Sequence, residues 1–103
     1  MSSQGAQESG STTVDVSNDE AQQRYTATLD GESVGIAAYE RSGDTIVFTH
    51  TVVQPEAEGR GVGSSLIGYA LDDARAQQLA VVPQCAFVSA YIERHPEYQD
   101  LTR

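Results

Sequence analysis

The chain has 103 residues, enough for one packed core without metal or disulfide support, and carries fifteen acidic residues against six basic ones, for a formal net charge of −9. Such a surface repels nucleic acid and anionic membranes, so neither is an expected partner. The single cysteine rules out an intrachain disulfide and a cysteine-built metal site, and no metal is expected. No apolar run approaches the roughly 20 residues of a membrane span, and the N-terminus lacks the regions of a signal peptide, so a cytoplasmic location is expected.

In chain order, residues 1–17 are Ser, Gly, Thr and Gln with few apolar positions, and read as a disordered tail. Val14 and Val16 are available to join a sheet edge, and the folded domain is expected over 18–103. From Gln22 to Leu29 the alternation of Tyr25, Ala27 and Leu29 suits a half-buried strand. Asp30-Gly31 then gives a hairpin signal. A second strand follows from about Ser33 to Tyr39, with Val34, Ile36 and Ala38 expected on one face. After a turn at Ser42-Gly43-Asp44, the β-branched run Thr45–Val53 reads as a buried strand. On strict alternation it places His50 on the face of Ile46, Phe48 and Val52.

Pro55 breaks the ladder in Gln54-Pro55-Glu56-Ala57. Leu66, Ile67, Ala70, Leu71 and Ala74 recur at helical spacing, predicting a helix to about Gln78. Leu79–Val82 reads as a short strand ended by Pro83. Phe87, Val88, Tyr91 and Ile92 mark a second helix, which Pro96 stops. Strand, crossover helix and strand in this order form a parallel βαβ unit. The expected fold is α/β: a mixed sheet, an antiparallel meander feeding a β-loop-α-β unit, then a C-terminal helix.

Glu58-Gly59-Arg60-Gly61-Val62-Gly63-Ser64-Ser65 joins the buried strand to the first helix. The first N–H groups of a helix have no partner within it, and the helix dipole adds partial positive charge there. Glycines let the main chain bend and come close to a ligand, and a phosphate or pyrophosphate is the natural occupant. An ordinary tight turn has the same local pattern. A phosphate-loop NTPase is excluded, since its signature needs a lysine and the chain has none. A dinucleotide fingerprint fits poorly, with Leu66 in place of its third glycine and no acidic residue ending the next strand.

From about Tyr25 to Leu101 the chain resembles the small, single-domain branch of the GCN5-related N-acetyltransferases. The carrying residues are His50-Thr51-Val52-Val53, Gly59-Arg60-Gly61-Val62-Gly63, the block Val82 to Ile92 with its Pro83-Gln84-Cys85, and the ending His95-Pro96-Glu97-Tyr98. The resemblance implies acetyl-CoA as cosubstrate and an amine as acceptor. Its pyrophosphate would take N–H groups from Arg60, Gly61, Val62, Gly63 and Ser64, with the Ser64 and Ser65 hydroxyls nearby. The pantetheine arm would use main-chain groups of Val52 and Val53. Glu58 departs from the family's usual Gln or Arg, and a carboxylate there would repel a pyrophosphate, so it is left out of the site.

For catalysis the resemblance offers Cys85, as an acetyl carrier if a neighbour lowers its pKa. A small buried hydrophobe is the plain alternative. His50 is a base, a group that helps ionise Cys85, or a satisfied core histidine. Tyr91 packs in the core or protonates a leaving thiolate, and His95 caps a helix end. The implied activity is acetyl transfer to an amine; the alternative is a coenzyme A-binding module with little or no transfer. The acid-rich, lysine-free composition is also that of proteins from salt-loving microbes. At about 1 M salt the Debye length is only about 3 Å, so local donors rather than net charge would decide anion binding.

Overall fold

The computed structural model describes residues 14–57 and 61–102. Five strands form one sheet in the order of the chain: β1 Val14–Asp19, β2 Arg24–Leu29, β3 Glu32–Ser42, β4 Thr45–Val53 and β5 Ala80–Pro83. The first four pair antiparallel, and β5 pairs parallel to β4. Helix α1, Val62–Ala76, makes the crossover, and α2, Ala86–Arg94, follows β5. Pro96 opens a final 3₁₀ turn through Leu101. The mixed α/β sheet is the expected one, with a fourth antiparallel strand. Residues 14–17, read as tail from composition, lie in β1, because Val14 and Val16 pair with β2 and pack against the core. The domain thus begins before residue 18; residues 1–13 lie outside the described residues.

The core lies on one face of the sheet. Tyr25, Ala27, Ala37, Tyr39, Ile46 and Phe48 turn inward from the strands. They meet Val62, Leu66, Ile67, Ala70, Leu71 and Ala74, the buried stripe of α1. Two β-bulges set which residues take part. Ala27 pairs with Gly35 and Thr28 with Ser33, so Val34 is an extra residue in β3. Ala38 pairs with His50 and Tyr39 with Phe48, so Thr49 is an extra residue in β4. Each insertion reverses the alternation of side chains beyond it. Two expectations are corrected as a result. Gly35, Ala37 and Tyr39 face the core in β3, while Ile36 and Ala38 are only half-buried. His50 and Val52 are exposed in β4, whereas Ile46 and Phe48 are buried.

At the far end of α1 a polar clasp holds the first strands down. Asp73 accepts hydrogen bonds from the Tyr25 hydroxyl at 2.6 Å, Gln77 Nε2 at 2.8 Å and Asn18 Nδ2 at 3.4 Å. Asn18 in turn accepts from the Tyr39 hydroxyl at 2.6 Å. Tyr25 is fully buried, and that burial, reinforced by the carboxylate of Asp73, holds its phenol far above the ordinary range. Asp73→Ala leaves this hydroxyl buried without its acceptor, an expected loss of about 1–3 kcal/mol. Tyr25→Phe removes donor and need together and should cost less. Thermal denaturation of the two variants measures the difference, at about 4–8 °C per kcal/mol for a domain of this size.

Candidate functional site

The site begins where β4 and β5 part. The two strands pair only from Thr45 opposite Ala80 to Phe48 opposite Pro83. One more link follows, the Cys85 N–H donating to the Phe48 carbonyl at 3.0 Å, and then α2 turns away. Beyond Phe48 the edge of β4 therefore has no strand beside it. Which groups line that edge follows from the opposite ladder. Gln54 N–H donates to the Val34 carbonyl at 2.8 Å. The Val52 carbonyl also faces β3, close enough that a Cβ on Gly35 would lie 3.2 Å from it. Strand alternation then turns the N–H and C=O groups of Thr51 and Val53 to the open edge. Of the pair expected from sequence, Val53 presents its main chain there, while the main-chain groups of Val52 are spent on β3.

The start of α1 faces the same space. Gly61 is the N-cap, with φ 77°, a left-handed conformation that favours glycine. The first bond of the helix runs from Ser65 N–H to the Gly61 carbonyl at 3.0 Å. By helix geometry the N–H groups of Val62, Gly63 and Ser64 have no acceptor inside the helix. No cap side chain supplies one. The Ser65 amide, by contrast, is already used. Its side chain also stands apart, lining a separate groove with Tyr69 and Asp72. Glu58, Gly59 and Arg60 lie outside the described residues.

These two elements bound an open groove of about 650 Å³, lined by Thr51, Val53, Gly61, Gly63, Ser64 and Phe87 among others. Phe87 forms one wall. Its ring sits so close over α1 that a Cβ on Gly63 would lie 2.4 Å from its Cζ atom. A side chain at 63 would have to displace the Phe87 ring. Of the residues whose spacing marked this helix, Phe87 is 43% exposed, while Val88 and Ile92 fill the core. Thr51, part of the motif that carries the resemblance, was given no site role from the sequence, since only the bulge at Thr49 brings it to this face.

Cys85 stands behind Thr51 and does not itself line the groove. It is half-buried at the N-cap of α2. The thiol donates to Thr51 Oγ1 at 3.3 Å. Burial works to raise its pKa, but contacts with the Thr51 hydroxyl and with the amides of Val88, Phe87 and Thr51 outweigh that and hold the thiol below its usual value. Neither helix amide makes a full capping hydrogen bond to the side chain; both present partial positive charge to it. His50 has no place in this cluster. It lies exposed on the other face of β4, with Nδ1 3.3 Å from Thr49 Oγ1. Tyr91 is half-buried and stacks on His95 with ring centroids 4.0 Å apart. His95 Nδ1 lies 2.9 Å from the Tyr91 carbonyl, an end cap for α2.

A depressed thiol pKa makes the thiolate more abundant in the folded chain than in the denatured one at any pH near neutrality. The rate of Cys85 alkylation by iodoacetamide should therefore rise with pH through a lower midpoint in the folded protein. Thr51→Val should move that midpoint up, toward the denatured value. Gly63→Ala should displace the Phe87 ring and destabilise the fold, whereas the same change in a Phe87→Ala background should be close to neutral, as a double-mutant cycle by thermal denaturation would show.

The family model for GCN5-related N-acetyl-transferases matches residues 24–101. Among solved structures, a GCN5-like putative N-acetyltransferase from Staphylococcus aureus superposes with a TM-score of 0.67 at 22% identity, over 86% of this chain and 87% of that one. A ribosomal-protein-alanine N-acetyltransferase from Brucella melitensis biovar Abortus 2308 gives 0.55 at 18% identity, over 78% and 61% of the two chains. Ard1 from Thermoplasma volcanium gives 0.53 at 24% identity, over 59% and 43%. At these identities the likeness is one of fold. No protein of curated function matches the sequence.

Proposed function

Because the chain belongs to the GCN5-related N-acetyltransferase family, we propose that it moves the acetyl group of acetyl-CoA to an amine at the parting of β4 and β5. One observation carries this reading: the β4 edge, with the main chain of Val53 unpaired, and the first amides of α1 open on one groove. The described lining suits an anionic ligand, since none of it is acidic although the chain bears a net charge of −9. The amides of Val62, Gly63 and Ser64, with the Ser64 hydroxyl, would hold the pyrophosphate. Gly61 gives the chain its turn there, and Arg60 joins the set on sequence grounds. Val53 would pair with the pantetheine arm as a neighbouring strand does. Ser65 and the Val52 main chain are left out of this proposed set.

Acetyl-CoA supplies an activated acetyl thioester. Cys85, its thiolate favoured by Thr51 and the start of α2, would attack the carbonyl carbon once the Thr51 side chain gives it access. The carbon–sulfur bond to the coenzyme breaks, and the coenzyme leaves as a thiolate that takes up a proton. The amine then attacks the acetyl group on Cys85, forming the carbon–nitrogen bond and releasing the cysteine thiolate. The proton the amine loses passes to solvent, since His50, the base expected from the sequence, stands on the other face of β4 from Cys85.

Acetyl-CoA at 100 times its Kd should raise the unfolding free energy by about 2.7 kcal/mol. In the same titration the amide signals of Val53 and of Gly61 to Ser64 should shift; a saturating coenzyme that leaves them in place would sink the reading. Intact-mass analysis after incubation should show one acetyl group on Cys85. Cys85→Ala should lose that adduct and lower thiol release by on the order of a hundredfold or more; full activity in this variant would rule out the covalent route.

A further inference from the structure

On the face of the sheet away from α1, Arg24, Ala38 and His50 lie in one row across β2, β3 and β4, and Thr26, Ile36 and Val52 in the next. Beside these rows is a cavity of about 290 Å³ lined by Arg24, Ser33, Ile36, Val52 and Gln54. Arg24 is the unusual member. Its Nε is shut off from solvent and has no hydrogen-bond partner, alone among the buried side-chain N and O atoms of the described residues. No described carboxylate pairs with it either. Asp19, its register partner on β1, accepts from Gln22 instead. A buried donor without an acceptor is costly, so its presence asks for a partner that the described residues do not provide. A guanidinium is a planar fork of donors that matches a carboxylate.

The position of this cavity connects it to the reaction. Val52 lines both it and the coenzyme groove, so the two spaces back onto one residue. His50 is two residues away on the same face of β4, roughly 7 Å at the rise of a strand. We propose that this cavity receives the carboxylate of the acetyl acceptor, making the acceptor a small amine that also carries a carboxylate, of the amino-acid class. Arg24 anchors the acid group, Ser33 and Gln54 offer further polar contacts, and the amine is left to reach the open edge of β4. A volume of this size suits a small molecule rather than a folded protein. The acidic surface does not oppose such a ligand at long range, because an amino acid is a zwitterion without net charge. This inference rests on the acetyl-transfer reading.

The test compares three matched pairs, glycine with methylamine, β-alanine with ethylamine and γ-aminobutyrate with propylamine, each at equal free-amine concentration. Thiol release from acetyl-CoA gives kcat/KM for each. In at least one pair the carboxylated member should be favoured tenfold or more, chiefly through KM, and Arg24→Gln should bring that ratio to within twofold of one. Equal rates in all three pairs, or a preference that survives Arg24→Gln, would overturn the inference. Should the variant fail to fold, the Nε–Hε signal of Arg24 in the unmodified protein replaces it: the signal should shift with β-alanine or γ-aminobutyrate and not with propylamine. Stabilisation by acetyl-CoA, read separately by melting, keeps the two readings apart. If the coenzyme stabilises the fold but thiol release and the Arg24 signal ignore every carboxylated amine, only the acceptor inference fails. If the coenzyme has no effect, the acetyl-transfer reading fails first.

Discussion

Everything at the site depends on two parallel strands that stay paired for four residues and then separate. β4 runs on to Val53 while β5 stops at Pro83, opposite Phe48. Backbone amides and carbonyls seldom go unpaired inside a fold, because each one left without a partner costs free energy. Pro83 cannot donate to a ladder, and Cys85 closes the pairing with a single bond to the Phe48 carbonyl. Past that point β4 has main-chain groups to offer, and the first turn of α1 brings three more amides to the same opening. A site made of main chain has a particular advantage in an acidic protein: it needs few charged side chains, and so does not depend on the overall charge.

The rest of the fold keeps this opening in place. The Asp73 clasp ties Tyr25 and Asn18 to the last turns of α1, which fixes the helix against β1 and β2 at the end away from the groove. At the near end the contact is apolar, with the Phe87 ring against Gly63. Tyr91 repeats the arrangement about one turn further along, where its hydroxyl would lie 2.9 Å from a Cβ on Gly68. Two glycines on α1 thus accept two aromatic rings from α2. Their absent side chains set how closely the helices approach, and with it the width of the groove.

The two faces of β4 divide the chemistry. Thr51 and Cys85 meet on the side of the helices, and His50 and Val52 stand on the other. Without the extra residue at Thr49, His50 would continue the inward row of Ile46 and Phe48 and Thr51 would point away from Cys85. One inserted residue thus separates a thiol from an imidazole that strict alternation would have placed together.

Much was legible in the sequence. Hydrophobic spacing located both helices and the strands from Gln22 onward, the Asp30-Gly31 turn marked the hairpin of β2 and β3, and the glycines after Pro55 marked where a helix would offer its first amides. Those features are local, because helical periodicity, turn chemistry and unpaired helix-end amides are decided within a few residues of chain. The facing of residues beyond Val34 and Thr49 was not local. A bulge is defined by its cross-strand partner, and nothing in the run Thr45–Val53 shows that Tyr39 will pair with Phe48 and Ala38 with His50. Which amides remain free, that Phe87 walls the groove instead of filling the core, and that Arg24 is laid without an acceptor against the opposite face were likewise decided by tertiary structure. Each depends on what a distant segment brings alongside, and a one-dimensional pattern carries no record of that.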